Sequence, residues 1–137
     1  MSLAPHSMFA LLRTRDATRR IAVVGASNAK HKYGHIIVRN LLGRGFTVWP
    51  VNPKEPQVAG LPCSPDVAHL PGVPDIVNIV TPPEVTLGVL RECAAAGVPN
   101  VWLQPGSFDA ACLAYAREAP FATEAEACIM VVAGWTS

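Results

Sequence analysis

The sequence predicts an α/β fold in which a doubly wound, parallel sheet of about five strands lies between two layers of helices, a three-layer αβα arrangement. Short apolar runs recur along the chain, and almost every run is followed by a segment with helical periodicity. Strands that alternate with helices pair in parallel through right-handed crossovers and carry helices on both faces of the sheet. The 137 residues are half apolar and 15% charged, so we expect residues 1–137 to form a single domain.

The first half of the chain contains two predicted strands. An apolar run stops at Gly25, as a buried parallel strand does, and a second run stops at Asn52-Pro53. The segment between them places apolar side chains on one helical face and ends at Gly43. In chain order we predict a leading helix and arm (1–18, helix 5–15), a strand (20–25), a helix (34–42), a strand (46–51) and a short helix (66–70).

The second half repeats this alternation. Pro83 suits the first turn of a helix, because its missing N–H has no intrahelical partner at that position. Ser107 is expected to cap a later helix, and the final apolar run is typical of a buried strand. In chain order we predict a strand (75–80), a helix (83–97), a strand (100–103), a helix (107–118) and a strand (128–132).

The turns that follow the strands are the candidate site, because ligands of open parallel sheets lie beyond the carboxyl ends of the strands. The first turn begins at Gly25, where the missing side chain lets backbone N–H groups approach a phosphate, and Ser27 adds a hydroxyl donor. Lys30 and Lys32 follow, and Gly34 opens a helix whose N-terminus attracts anions. These features together favour a pyrophosphate site over the alternative that Gly25 only permits a tight turn.

The turn after the second strand indicates a ribose that carries a phosphate. Enzymes that bind NAD place Asp or Glu there, whereas this chain has Asn52, followed by Pro53 and Lys54. Coenzyme A has a 3′-phosphate and NADP has a 2′-phosphate, so this turn alone does not separate the two ligands. The first turn also lacks the second glycine of the dinucleotide motif Gly-x-Gly-x-x-Gly.

The remaining turns supply a candidate adenine edge and no catalytic group. Thr81-Pro82-Pro83 forms a rigid lip, which either supports an adenine or only stops the strand. Gln104 presents an amide toward a ligand or a partner. The turns contain no His–carboxylate pair, nucleophile elbow or paired acids, and the histidines and cysteines lack metal-ligand spacing. The sequence therefore favours a binding protein over an enzyme and predicts no metal site.

Charge and composition exclude several other classes of protein. A net charge of +1 argues against nucleic-acid binding, and the absence of a long apolar run or a signal peptide predicts a cytoplasmic protein without a membrane span. Residues 17–54 contain seven basic residues and no carboxylate, whereas residues 55–137 contain nine acids and two bases. An anionic ligand is therefore expected near the first half of the sheet.

Six stretches of the chain resemble one known family: Val23-Val24-Gly25-Ala26-Ser27, Lys32-Tyr33-Gly34, Val51-Asn52-Pro53, Asp75-Ile76-Val77-Asn78-Ile79-Val80, Trp102-Leu103-Gln104-Pro105-Gly106 and Cys128-Ile129-Met130-Val131. In sequence and order they are similar to the small stand-alone CoA-binding proteins related to the nucleotide-binding domain of the succinyl-CoA synthetase α subunit. The resemblance covers about residues 19–131 and departs at 120–122 and 132–133. It implies a Rossmann-like, CoA-binding fold without the synthetase domain that carries the phosphorylated histidine.

The resemblance also implies where coenzyme A or an acyl-CoA is held. The implied contacts are Gly25, Ala26, Ser27 and either Lys30 or Lys32 for the phosphates, Asn52, Pro53 and Lys54 for the adenosine, and Val80, Thr81 and Pro82 for the adenine edge. Tyr33, Gly34 and Gln104 complete the predicted cofactor-binding residues. The leading hypothesis is therefore a noncatalytic protein that binds coenzyme A or an acyl-CoA. The alternatives are an NADP-dependent reductase and a nucleotide-sensing subunit of an acyl-CoA ligase complex, and a protein partner or a homo-oligomer stays open.

Overall fold

The computed structural model describes residues 4–13 and 17–134, which form an alternating series of strands and helices. The helices are α1 (Ala4–Arg13), α2 (Tyr33–Gly43), α3 (Pro83–Ala96), α4 (Ala110–Glu118) and α5 (Ile129–Ala133). The strands are β1 (Arg20–Val24), β2 (Thr47–Val51), β3 (Gln57–Val58), β4 (Leu61–Pro62), β5 (Ile76–Ile79), β6 (Asn100–Leu103) and β7 (Ala122–Glu124). A short 3₁₀ helix, Val67–His69, lies between β4 and β5.

The main sheet is parallel, and its strand order within the described residues is β2-β1-β5-β6-β7. From β1 the chain first adds β2 on one side and then returns to add β5, β6 and β7 on the other. The winding direction therefore reverses between β1 and β5, which makes the gap between these two strands the switch point of the sheet. The predicted Rossmann-like, doubly wound α/β fold is confirmed, and such sheets bind ligands beside the switch point at their carboxyl edge.

Two layers of helices cover the sheet. Helices α1, α2 and α5 supply one core, which contains Ile37, Trp102 and Ile129. Helices α3 and α4 supply the other core, around Leu90 and Cys112. Trp102 lies within β6 and is fully buried, and its indole N–H donates to a backbone carbonyl at 2.7 Å, so burial leaves no unpaired donor.

Helices α1 and α3 agree closely with the sequence patterns that predict them. Helix α1 ends at Arg13, and the last two residues of the predicted helix, 14–15, lie outside the described residues. Helix α3 begins at Pro83 and ends before Gly97, whose φ of 75° is the left-handed conformation that commonly follows a helix. None of the helices in the described ranges is long and apolar enough to cross a membrane.

Helix α4 begins three residues later than predicted. The Asp109 carboxylate accepts a hydrogen bond from the Cys112 N–H at 3.0 Å, so Asp109 rather than Ser107 is the N-cap. Ser107 is buried, and its hydroxyl donates to the Gln104 carbonyl at 2.7 Å. The hydroxyl therefore closes the turn after β6 instead of starting the helix.

The prediction of a last strand over residues 128–132 is wrong. This segment forms α5, in which the buried side chains Ile129, Val132 and Ala133 recur at helical spacing and pack into the same core as α1 and α2. The remaining strand of the sheet is β7, which pairs with β6 at the sheet edge. Its sequence, Ala-Thr-Glu, contains no apolar run, so only the pairing with β6 makes it a strand.

The segment after β2, predicted as a loop, forms a hairpin that supports the first turn of the candidate site. Strands β3 and β4 pair in antiparallel. The Asn28 amide donates to the Gln57 carbonyl at 2.7 Å, and its oxygen accepts from the Ala59 N–H at 3.3 Å. The hairpin therefore anchors the loop that follows β1.

Burial controls the chemistry of the cysteine thiols, all four of which are free. Cys93 and Cys112 are buried, whereas Cys63 and Cys128 are partly exposed. Burial raises the pKa of Cys93 to about 12 and also raises the pKa of Cys63 and Cys112. Cys93 is therefore a neutral, unreactive core side chain at physiological pH.

Candidate ligand-binding site

The turns predicted from the sequence come together at the carboxyl edge of the sheet. Gly25 follows β1 and Asn52 follows β2, while Thr81 comes shortly after β5 and Gln104 directly after β6. Because β1 and β5 are neighbours, Gly25 lies against Val80 and Thr81 at the switch point. The structure therefore places the four predicted turns along one edge, with the first turn at its centre.

Two glycines allow helix α2 to approach the switch point. Gly25 has a φ of +95°, and a Cβ there would lie 2.8 Å from the Val80 Cγ2. Gly34 sits in the first turn of α2, where a Cβ would lie only 2.0 Å from the Gly25 carbonyl oxygen. Gly25 therefore needs to be glycine because of its positive φ and the adjacent Val80 and Thr81, whereas Gly34 needs to be glycine because the start of α2 touches the backbone at the end of β1.

The N-terminus of α2 is open to an anion. Its N-cap residue, Lys32, makes no side-chain capping hydrogen bond. Within the described residues the N–H groups of Tyr33 and Gly34 have no acceptor, so they remain as donors at the positive end of an eleven-residue helix. Phosphate groups commonly bind at such a helix N-terminus in doubly wound folds.

Histidine 35, which the sequence patterns did not single out, holds the Ser27 loop against α2. Its Nδ1 lies 2.8 Å from the Ser27 carbonyl oxygen, and Arg39 Nε–H donates to its Nε2 at 3.3 Å. A carbonyl only accepts and a guanidinium only donates, so these two contacts match the tautomer in which Nδ1 donates and Nε2 accepts. The Ser27 hydroxyl oxygen accepts from the Ala29 N–H at 3.0 Å, and its own hydrogen stays available to a ligand.

Backbone donors in the first turn differ from those that the sequence suggested. The N–H groups of Gly25 and Ala26 both donate to the Val51 carbonyl, at 3.1 and 3.3 Å. The amides of Ser27 and Asn28, further along the loop, have no acceptor among the described residues. A phosphate contact at Gly25 stays a prediction, and it would use the space left by the missing side chain rather than the N–H.

Asn52 connects the turns after β1 and β2. Its amide nitrogen donates to the Ala26 carbonyl at 2.8 Å, and its amide oxygen accepts from the Lys54 N–H at 2.8 Å. The sequence suggested Asn52 as a ribose contact, and that contact stays a prediction. In the structure, its side chain also holds the two turns together through these hydrogen bonds.

Three lysines surround this edge of the sheet without a carboxylate partner. Lys30, Lys32 and Lys54 are exposed, and the ion pairs found in the described part of the chain involve none of them. Tyr33 is also exposed, at 66%, beside the start of α2. The cluster presents positive charge and one aromatic face toward whatever binds at the switch point.

Two cavities flank the switch point, one on each side of the sheet. The cavity beside α3, here called the α3-side cavity, measures about 430 Å³ and is mostly apolar. It is lined by Val24, Gly25, Val51, Asn52, Pro53, Pro65, Asp66, Thr81, Val85, Val89 and Glu92. The α2-side cavity measures about 320 Å³ and is lined by Tyr33, Val80, Gln104, Pro105, Gly106, Ser107 and Cys128.

The polar groups of Thr81 and Gln104 are largely engaged within the protein. The Thr81 hydroxyl lies 2.8 Å from the hydroxyl of buried Thr86, which itself donates to backbone carbonyls. The Gln104 amide oxygen accepts from the Ile129 N–H at 2.7 Å, and its nitrogen donates to the Cys128 sulfur at 3.3 Å. Both residues therefore form cavity walls, and Gln104 also positions the start of α5. Pro82, the N-cap of α3, is exposed beside them.

Two carboxylates line the α3-side cavity at the end formed by α3 and the 3₁₀ helix. Asp66 caps that helix, and its hydrogen bond from the His69 ring at 2.6 Å holds the pKa of Asp66 below its usual value. Glu92 projects from α3 and accepts from the Val67 N–H at 3.1 Å. The sequence patterns identified neither residue, because both lie far along the chain from the turns that define the site.

Comparison with known proteins identifies the family to which this chain is similar. Residues 19–134 match a family model described as CoA binding domain. An acetate–CoA ligase (ADP-forming) from Methanocaldococcus jannaschii is 34% identical over 90 residues, which cover 66% of this chain and 13% of the ligase. The α subunit of acetate–CoA ligase (ADP-forming) II from Pyrococcus furiosus is 37% identical over 91 residues, which cover 66% of this chain and 20% of the subunit. The chain thus spans at most a fifth of the length of these curated relatives.

A solved structure of similar size has the same fold. A conserved hypothetical protein from Pyrococcus furiosus superimposes with a TM-score of 0.79 at 41% sequence identity. The superposition covers 82% of this chain and 97% of that chain. The arrangement of strands and helices around the candidate site therefore also occurs in a chain that has little beyond the shared region.

Proposed function

This chain belongs to the CoA binding domain family, in agreement with the predicted resemblance, and from that premise we propose that it binds coenzyme A or an acyl-CoA across the switch point of its sheet. The observation that carries the proposal is the N-terminus of α2, which has no side-chain cap and lies between two cavities, in a region with three exposed lysines that form no ion pair with any described residue. Coenzyme A needs such a site, because its pyrophosphate separates a nucleotide from a long pantetheine arm.

The pyrophosphate occupies the centre of the proposed complex. The free amides of Ser27, Tyr33 and Gly34 donate to its oxygens, and the Ser27 hydroxyl adds a further donor. Lys30 and Lys32 neutralise its charge from the solvent side, where their long side chains are exposed.

The two ends of the ligand lie in the two cavities. The adenosine occupies the α3-side cavity, which Pro53 and Thr81 line, with Val80 and Pro82 on either side of Thr81 in the chain and Lys54 near the 3′-phosphate. The pantetheine arm extends over Tyr33 into the α2-side cavity, whose wall includes Gln104. The apolar surfaces of both cavities suit the base and the arm, whereas the anionic groups stay beside the lysines.

Isothermal titration with coenzyme A, dephospho-CoA, NADP and NAD tests the proposal. We expect coenzyme A to bind most tightly and dephospho-CoA to bind more weakly, because it lacks the phosphate that faces Lys54. Heat with NADP and none with coenzyme A would overturn the proposal and favour the NADP-dependent reductase, which oxidation of NADPH by a substrate would then establish.

A second candidate function is that of a nucleotide-sensing component of an acyl-CoA ligase complex. It is supported by the similarity of this chain to short regions of acetate–CoA ligases, one of which is a separate α subunit. This function would be supported by a stable second chain that co-purifies with the native protein and whose association with it changes when coenzyme A is added. A monomer that binds coenzyme A without any associated chain would count against it.

A further inference from the structure

The inner end of the α3-side cavity differs chemically from its mouth. Val85, Val89 and Glu92 lie on one face of α3 and line the cavity in succession. Glu92 is seven residues beyond Val85, which places it about 10 Å further along the helix, away from the sheet edge. The cavity therefore begins at the sheet edge, where Pro53 precedes Lys54 in the chain, and ends at the carboxylates of Glu92 and Asp66.

The Glu92 carboxylate is held in a defined orientation. One of its oxygens accepts a hydrogen bond from the N–H of Val67, a buried residue of the 3₁₀ helix, at 3.1 Å. Among the described residues its second oxygen has no hydrogen-bond donor, and the ion pairs do not include Glu92. Glu92 thus places a partly buried carboxylate, one oxygen of which can still accept a hydrogen bond, at the end of a mostly apolar cavity.

A carboxylate at this position selects the group that binds next to it. It accepts hydrogen bonds and repels phosphates and carbonyl oxygens, so the phosphates stay at the sheet edge, on the side of Lys54. The inner end takes a flat, uncharged group that carries an N–H donor. In the proposed ligand, the adenine base has this character, and its exocyclic 6-amino group is the donor.

We propose that Glu92 accepts a hydrogen bond from the 6-amino group of adenine and makes the protein selective for adenine over a 6-oxo purine. This inference rests on the proposed binding of coenzyme A. Asp66 is the other carboxylate in the cavity, but its Oδ1 already accepts from both the backbone and the ring of His69, and its side chain is 37% exposed. Glu92, by contrast, accepts a single hydrogen bond among the described residues, so more of its acceptor capacity remains for a ligand.

The test compares coenzyme A with its inosine analogue, which has nearly the same shape and carries an oxygen in place of the 6-amino group. Titration of the full-length protein should show that coenzyme A binds roughly ten- to a hundredfold more tightly, the range expected for a hydrogen bond to a charged group. In Glu92→Gln the amide still accepts from Val67 and offers an N–H to the 6-oxygen. The ratio of the two affinities should therefore fall toward one.

Two variants separate selectivity from charge. Glu84→Gln removes the same charge from the exposed first turn of α3, outside the cavity, and should leave the affinity ratio unchanged. Asp66→Asn should also leave the ratio near that of the parent protein. Circular dichroism establishes that each variant is folded, and the comparison of the two ligands on the parent protein needs no variant.

The outcomes are distinct. Equal affinity of the parent protein for the two ligands would overturn the proposal while leaving the binding of coenzyme A intact, and so would a preference that survives in Glu92→Gln or disappears in Asp66→Asn. Failure of both ligands to bind the parent protein would overturn the proposed function itself, and the selectivity proposal with it.

Discussion

Replacing Gly34 with alanine tests the close contact on which the candidate site depends. An added Cβ would lie 2.0 Å from the Gly25 carbonyl oxygen and 3.2 Å from the Ala26 Cα, and both neighbours are backbone atoms that no side-chain rotation removes. Real Cβ atoms do not approach other atoms within 3.0 Å, so α2 and the end of β1 must separate by about 1 Å.

The expected effect is a loss of both stability and ligand affinity. Overpacking of this size costs about 1–3 kcal/mol, whereas alanine in a helix gains at most about 1 kcal/mol over glycine. We therefore expect Gly34→Ala to lower the free energy of unfolding by about 1–2 kcal/mol in urea titrations. Displacement of the α2 amides should also weaken coenzyme A binding about tenfold or more in isothermal titration.

Gly88→Ala is the matched control, because Gly88 is an exposed helical glycine of α3 with no atom within 4 Å of an added Cβ. It should raise the free energy of unfolding by about 0.5–1 kcal/mol through helix propensity and leave affinity unchanged. If Gly34→Ala instead behaves like Gly88→Ala in both assays, the close contact between α2 and β1 does not exist in solution.

Three further predictions concern single side chains. Ser27→Ala should weaken coenzyme A binding by about 1 kcal/mol in isothermal titration, the value of one hydrogen bond, and unchanged affinity would remove Ser27 from the site. Asn52→Ala leaves a carbonyl and an N–H without their partners, so urea titration should show a loss of about 1–3 kcal/mol, and full stability would contradict the connecting role of this amide. Burial raises the pKa of Cys93 in the folded state from 9.0 to about 12. The unfolded thiol therefore ionises first as the pH rises, so the contribution of Cys93 to the free energy of unfolding is complete below pH 9 and falls progressively toward pH 12. The parent protein should therefore lose stability over this range relative to Cys93→Ala, and parallel pH profiles would refute the assignment.

The sequence was a good guide to strands β1, β2, β5 and β6 and a poor one to the C-terminal segment. Strands β1, β5 and β6 are central and buried on both faces, so they appear as apolar runs. Strand β2 lies at the sheet edge and is only partly buried, but its apolar run still stops at Asn52-Pro53. The run over residues 128–132 has the same appearance, yet it forms α5, because periodicity over so few residues does not distinguish a buried helix from a strand. Strand β7 has no apolar run, since its sheet-edge position and its pairing with β6 create it.

A similar division holds for the candidate site. The turns containing Gly25, Asn52 and Thr81 were predictable, because every parallel strand delivers its following residues to the same edge of the sheet. The hydrogen-bond partner of each polar side chain was not predictable, because these partners are distant in sequence. Asn52 binds the Ala26 carbonyl across 26 residues, and Glu92 binds the Val67 N–H across 25.

The amino-acid sequence by itself determined the class of fold and the sheet edge at which the candidate site lies, and it predicted the kind of ligand, because strand-forming runs, turn residues and charge distribution are local properties of the chain. Tertiary structure alone decided which donors remain free, where the two cavities lie and that Glu92 stands at the end of one of them. Those properties arise from strand register and helix packing, which bring together groups that no local pattern relates to one another.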